Sequence, residues 1–151
     1  MKVAITSRTL SAAKEAAKSL SDDDAKVLAL ESAVSSLASE IDAIKEVVNH
    51  FGQLDVLIAN AGVGHFASIE SLTEEDWRRT IDTNLTGVFN SVKASIEALK
   101  KSEGYIITIA SLAGTTFFAG GSAYNASKFV LVGFTQAFMP YLRQPGIKVT
   151  T

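Results

Sequence analysis

The chain has 151 residues, about the size of one domain, and 47% of them are hydrophobic, enough to fill a sizeable core. A formal charge of −2 leaves no basic surface for nucleic acid, and no stretch approaches the roughly 20 apolar residues of a membrane span. The start, MKVAITSRTL, lacks the long apolar region of a secretory leader, the absence of cysteine excludes disulfides and thiolate metal sites, and two histidines exclude a histidine-rich metal centre; a cytoplasmic protein is the expectation.

In chain order, short β-branched runs alternate with longer helical patterns. KVAIT (2–6) reads as a buried strand, SAAKEAAKSL (11–20) as a helix, and Asp22, Asp23 and Asp24 as a solvated turn. KVLAL (26–30) is a second strand. SEIDAIKEVVNHF (39–51) places Ile41, Ile44, Val47 and Val48 at helical spacing, and Gly52 can end that helix. LDVLIAN (54–60) is a third strand. Thr73 followed by Glu74, Glu75 and Asp76 reads as an N-cap with an acidic first turn, opening a helix to about 101 with a break near Gly87. GYIITIAS (104–111) is a fourth strand, 122–142 a helix stopped at or just after Pro140, and IKVT (147–150) a fifth strand. Such alternation, with strands apolar on both faces, predicts a parallel sheet covered by helices in one domain over 1–151.

In a doubly wound sheet, ligands bind outside the carboxyl ends of the strands. Polar and small residues collect there: Asn60, Ala61 and Gly62 after the third strand, Ser111 closing the fourth, and Tyr124 and Lys128 one turn apart on the helix that follows. Asn84 lies within the preceding helix. Taken singly, each has a plain structural reading. Ser111 can be a strand-end cap, Asn84 a buried amide satisfied within its helix, Asn60 and Gly62 turn residues, and Tyr124 with Lys128 a surface pair.

Together, "LDVLIANAG", "IDTNLTGVF", "GYIITIASLAG" and "SAYNASKF" resemble, in order and spacing, four segments of the short-chain dehydrogenase/reductase family. The resemblance begins with KVAITSRT and implies a Rossmann-like three-layer αβα sandwich with a mostly parallel sheet. It implies an oxidoreductase moving a hydride between NADP(H) and a carbonyl or alcohol. Tyr124 would be the general acid/base, and Lys128 would favour its phenolate and hold the nicotinamide ribose. Ser111 would hydrogen-bond the substrate oxygen, and Asn84 would hold a relay water. Asn60, Ala61 and Gly62 would line the cofactor, and Arg8 in "TSRT" resembles the basic residue that selects NADP over NAD. His65 and Phe66 either approach the substrate or pack the loop, and TTFFAGG (115–121) hints at an apolar substrate.

The resemblance also has gaps. A dinucleotide site needs a glycine-rich turn after its first strand, yet the first glycine here is Gly52. KVAITSRT resembles the family's second strand, so the chain reads as truncated at both ends, lacking the first strand, the Gly-rich turn and the segment beyond Thr151. Ala33 stands where an adenine-contacting aspartate is usual. Two sheets follow as alternatives: a gapped one, with two strands severed from three, or a slipped one, with KVAIT pairing LDVLIAN. The alternative function is an inactive module that pairs as a homo-oligomer through the helices near 74–101 and 122–142.

Overall fold

In the computed structural model, which describes residues 1–21, 23 and 25–151, five strands alternate with five α-helices. The expected turn at 22–24 lies partly outside the described residues: Asp22 and Asp24 are not among them. Strand β1 is Val3–Ser7, β2 Val27–Glu31, β3 Val56–Ala59, β4 Tyr105–Thr108 and β5 Lys148–Thr150. Helix α1 is Leu10–Leu20, α2 Leu37–Phe51, α3 Glu74–Ile81, α4 Gly87–Ser102 and α5 Ser122–Arg143.

Local chemistry sets the boundaries. Thr73 caps α3 by accepting from Asp76 N at 3.1 Å, and its hydroxyl donates to the Asp76 carboxylate at 2.8 Å. Gly52 ends α2 in the left-handed region at φ 89°. The long helix expected over 74–101 is interrupted by one π-helical turn, Asp82–Thr86, just before Gly87. The helix expected to stop near Pro140 carries that proline inside its last turn and ends at Arg143.

Every strand pair is parallel, but the pairing falls into two sets. β1 pairs β2 from Val3↔Val27 to Ser7↔Glu31, while β3, β4 and β5 form a three-stranded sheet in that order. Among the described residues no ladder joins β1 to β3. The gapped arrangement is therefore the one observed, and the slipped one, with KVAIT on LDVLIAN, is not. β1 and β3 each keep an unpaired edge within this chain.

The main core lies on one face of β3–β4–β5, where Ala59, Ile106, Val88, Val92, Leu99 and Leu131 pack together. In the parallel register Val56 and Ile58 point the other way and are exposed. Helix α1 packs on β1 and β2, and α2 lies against α4. That α2–α4 seam is polar. Glu40 accepts hydroxyl hydrogen bonds from Ser32 at 2.5 Å and Ser91 at 2.6 Å, and Asn90 Nδ2 donates to Val34 O at 2.8 Å. A Cβ on Gly87 would come within 2.7 Å of Val34 Cγ2, so only glycine permits this approach.

Candidate active site

The carboxyl ends of β3 and β4 open onto a cleft of about 360 Å³. Asn60, Gly62, Val63, Ile109, Tyr124 and Lys128 line it, with Phe66 alongside. The fold thus brings together four of the residues read from sequence: Asn60, Gly62, Tyr124 and Lys128. A second depression, of about 270 Å³, lies between the end of α5 and β5 around Arg143 and Lys148; it joins none of the sequence-derived site residues.

Tyr124 and Lys128 sit one turn apart on the first half of α5, a helix that starts directly after Gly121. Lys128 Nζ lies 5.9 Å from the Tyr124 ring centroid. It is only 5% exposed, and Nζ donates to the Ile109 carbonyl at 2.7 Å. Burial pushes the Lys128 ammonium below the ordinary lysine value, because desolvation disfavours the charged form.

Asn84 lies in the π-turn and is fully buried. Its Oδ1 accepts from Val63 N at 2.8 Å, and its Nδ2 donates to Val63 O at 2.8 Å and Ser127 Oγ at 3.0 Å. The amide is satisfied across three elements rather than within its own helix, and it fixes the cleft wall to α5. Ser111 takes the cap position of a single 3₁₀ turn, Leu112–Gly114, and its Oγ accepts from Ala113 N at 3.2 Å. Its hydroxyl hydrogen stays free for another acceptor, although Ser111 does not itself line the cleft. Ala61 is exposed beside Asn60 and Gly62. His65 turns away: its Nδ1 pairs with Thr80 Oγ1 at 3.0 Å, so of the two open readings it is loop packing.

Arg8 lies elsewhere, exposed between β1 and α1. The α1 N-terminus beside it already holds an anion. Leu10 N donates to Glu31 Oε2 at 3.0 Å, and Ala12 N to Thr9 Oγ1 at 3.4 Å. Sequence reading missed Glu31, since only the Ser7↔Glu31 register brings it across the sheet to α1.

Around Tyr124 and Lys128 the cleft presents a tyrosine hydroxyl, an ammonium and a bare glycine edge. Between β1 and α1, side chains stand at Ser7, Arg8 and Thr9, and Glu31 takes a helix donor. Among the described residues no group of three or more His, Asp or Glu is placed to hold a metal ion, and no helix is long and apolar enough to cross a membrane.

Comparison with known proteins gives a consistent result. The sequence pattern described as short chain dehydrogenase matches residues 1–151. The chain is 39% identical over 109 residues to trans-4-hydroxycyclohexanecarboxylate dehydrogenase of Sinomonas cyclohexanicum, covering 72% of this chain and 42% of that protein. It is 40% identical over 114 residues to a 3-oxoacyl-(acyl-carrier-protein) reductase of Staphylococcus aureus, covering 74% of this chain and 46% of that protein. The alcohol dehydrogenase of the archaeon Thermococcus sibiricus, solved with 5-hydroxy-NADP, superposes with a TM-score of 0.90 at 27% identity, over 98% of this chain and 63% of its own. The fold is thus Rossmann-like, and the chain spans a little under half the length of the two curated relatives.

Proposed function

The chain belongs to the short-chain dehydrogenase family, and from that premise we propose that residues 1–151 form the catalytic part of an oxidoreductase acting on a carbonyl or alcohol substrate, with Tyr124 as the proton donor and acceptor. The observation that carries this reading is the cleft in which Tyr124 and Lys128 meet Asn60 and Gly62 at the strand ends.

In the reducing direction the substrate carbon gains a hydride, the C=O π pair moves to oxygen, and the Tyr124 hydroxyl delivers the proton to that oxygen; oxidation runs in reverse. A bound nicotinamide dinucleotide supplies or takes up the hydride. The Lys128 ammonium, near the Tyr124 ring, offsets negative charge developing on the phenol oxygen. We assign the Ser111 hydroxyl to the substrate oxygen from its place directly after Ile109 and Ala110 of the lining, although the side chain stands behind the cleft surface. Asn84, locked to Val63 and Ser127, is a positioning residue that keeps the cleft wall against α5.

We assign NADP(H) rather than NAD as cofactor on the strength of Arg8, with Asn60, Ala61, Gly62 and Lys128 holding the nicotinamide end. The neighbour solved with 5-hydroxy-NADP supports a nicotinamide cofactor of this kind. The test is a fluorescence titration of NADPH with the purified chain and with Arg8→Ala. Saturable binding, weakened in the variant, supports the assignment. No binding up to millimolar cofactor, or an Arg8→Ala curve that overlays the wild type, sinks it.

A second reading rests on a specific observation: Phe89 on α4 and Phe129 and Val130 on α5 are exposed apolar residues. They suit a homo-oligomer formed through α4 and α5, with or without turnover. Sedimentation of the purified chain decides it, since a monomer at micromolar concentration leaves those side chains without a role.

A further inference from the structure

The run 60–68, between β3 and α3, forms neither helix nor strand, yet two of its residues are gripped from one helical stretch. Asn84 in the π-turn holds Val63 by both of its backbone polar atoms, each at 2.8 Å. Thr80, four residues earlier at the end of α3, holds His65 through Nδ1 at 3.0 Å. Both gripping side chains are fully buried. The spacings match on the two sides. Four residues of helix rise about 6 Å, and two residues of extended chain reach about 7 Å at most.

Thr80 fixes the direction of the His65 bond. Its Oγ1 lies 2.7 Å from Asp76 O, and a carbonyl oxygen only accepts, so the one hydroxyl hydrogen is committed there. Toward His65 the Thr80 oxygen can then only accept, and the imidazole donates from Nδ1–H. Nε2 stands 3.5 Å from Asp76 Oδ1, so the ring meets α3 with both nitrogens.

The residue after His65 is the one this anchor holds in place. The Phe66 ring lies 5.5 Å from the Tyr124 ring at 64°, an edge-to-face contact, and 5.8 Å from the Phe118 ring at 46°. Phe66 is 61% exposed, so packing on all sides does not fix it; backbone anchors on either side do. Before it stands the His65 bond, and after it Ala67 N donates to Gly120 O at 2.9 Å. A Cβ on Gly64 would come within 2.8 Å of Phe66 Cζ and 3.6 Å of Tyr124 Cδ2, so the strap 63–66 lies close against both rings.

We propose that His65 is a positioning residue for Tyr124: its Nδ1–H bond to Thr80 fixes the strap, the strap fixes the Phe66 ring, and that ring braces the Tyr124 ring. The inference rests on the oxidoreductase reading for the role of Tyr124, and it adds to that reading a residue that acts only through its neighbours.

The test follows the strap by NMR in the full labelled chain, with four variants that separate the hydrogen bond from the bulk. His65→Asn keeps a donor nitrogen near the place of Nδ1, and His65→Leu keeps bulk and loses the donor. Thr80→Ser keeps the acceptor, and Thr80→Val keeps the shape and loses it. The readouts are the Overhauser contact between the Phe66 and Tyr124 ring protons and the hydrogen exchange of the Ala67 amide. Wild-type behaviour is expected in His65→Asn and Thr80→Ser. In His65→Leu and Thr80→Val the ring contact should weaken and Ala67 exchange should rise about five- to tenfold, while the Val63 amide, held by Asn84, keeps its rate. Unchanged readouts in both disruptive variants, equal disturbance in all four, or a rise at Val63 as large as that at Ala67 would overturn the proposal. Failure of the oxidoreductase reading looks different: the pattern at Phe66 and Ala67 would hold while the wild type reduced no ketone with NADPH.

Discussion

The chain's two halves are held together by different means. From β3 to β5 the core holds large, fully buried side chains, Leu99, Ile106, Leu131 and, nearly so, Ile147. From β1 to α2 the buried hydrophobic residues are small, Ala13, Ala17, Val27, Ala43 and Val47, and this half meets the other through Glu40, Asn90 and the close approach at Gly87. Apolar burial contributes about 25 cal/mol per Å² without directional demands, whereas a seam of buried hydrogen bonds is costly to disturb. The proposed acid–base pair, Tyr124 and Lys128, sits on the densely packed half. Arg8 and the end expected to face the cofactor phosphates sit on the thin one. The difference places the proposed acid–base pair and the proposed cofactor contact Arg8 in separately packed halves, so a substitution in one need not disturb the other.

The largest effect that would sharpen this contrast is Tyr124→Phe. It keeps the ring against Phe66 and removes only the hydroxyl, so reduction of a ketone should fall about 10²–10⁴-fold with the melting temperature unchanged. Leu131→Ala, in the dense half, should cost about 2–5 kcal/mol in urea unfolding, while Leu30→Ala in the partly buried β2 should cost visibly less. Equal losses would break the comparison. At the seam, Gly87→Ala drives a methyl into Val34 and should destabilise by about 1–3 kcal/mol, with hydrogen exchange rising first in β1 and β2.

Smaller effects probe the thin half alone. Glu31→Gln removes the carboxylate at the α1 N-terminus, so NADPH binding should tighten by about two- to fivefold while Arg8→Ala weakens it. Movement of both variants in the same direction would separate Glu31 from the cofactor site. The smallest expected effect concerns Lys128. Its folded-state value lies below the ordinary one, so between that value and about 10.4 the unfolded chain binds more protons than the folded one, and wild-type stability rises with pH. The stability of the wild type relative to Lys128→Met should therefore improve as pH climbs through that window. A flat difference would mean the ammonium is not desolvated.

Much of this was legible from residue patterns, because each pattern has a local cause. The β-branched runs are strands, Thr73 and Gly52 bound their helices, and residues of three of the four motifs line one cleft, while Asn84 of the fourth is buried behind Val63. What stayed hidden depends on partners distant in sequence. The π-turn around Asn84 is announced only by a glycine at 87, and the amide's partners, Val63 and Ser127, are 21 and 43 residues away. Glu31 acts on α1 because parallel pairing sets it opposite Ser7. The sequence leaves Phe66 open between packing and substrate contact, and only the fold brings its ring against Tyr124 and Phe118 while leaving it largely exposed. The gapped and slipped sheets differ in tertiary pairing that no local propensity encodes.

The most direct measurement is transfer of deuterium from hydride-position-labelled NADPH to cyclohexanone, comparing the wild-type chain with Tyr124→Phe at saturating cofactor. The account predicts deuterium on the carbinol carbon of the product in the wild type, and a rate lower by about a hundredfold or more in the variant. Absence of labelled alcohol from the wild type, or equal rates in the two proteins, would contradict it.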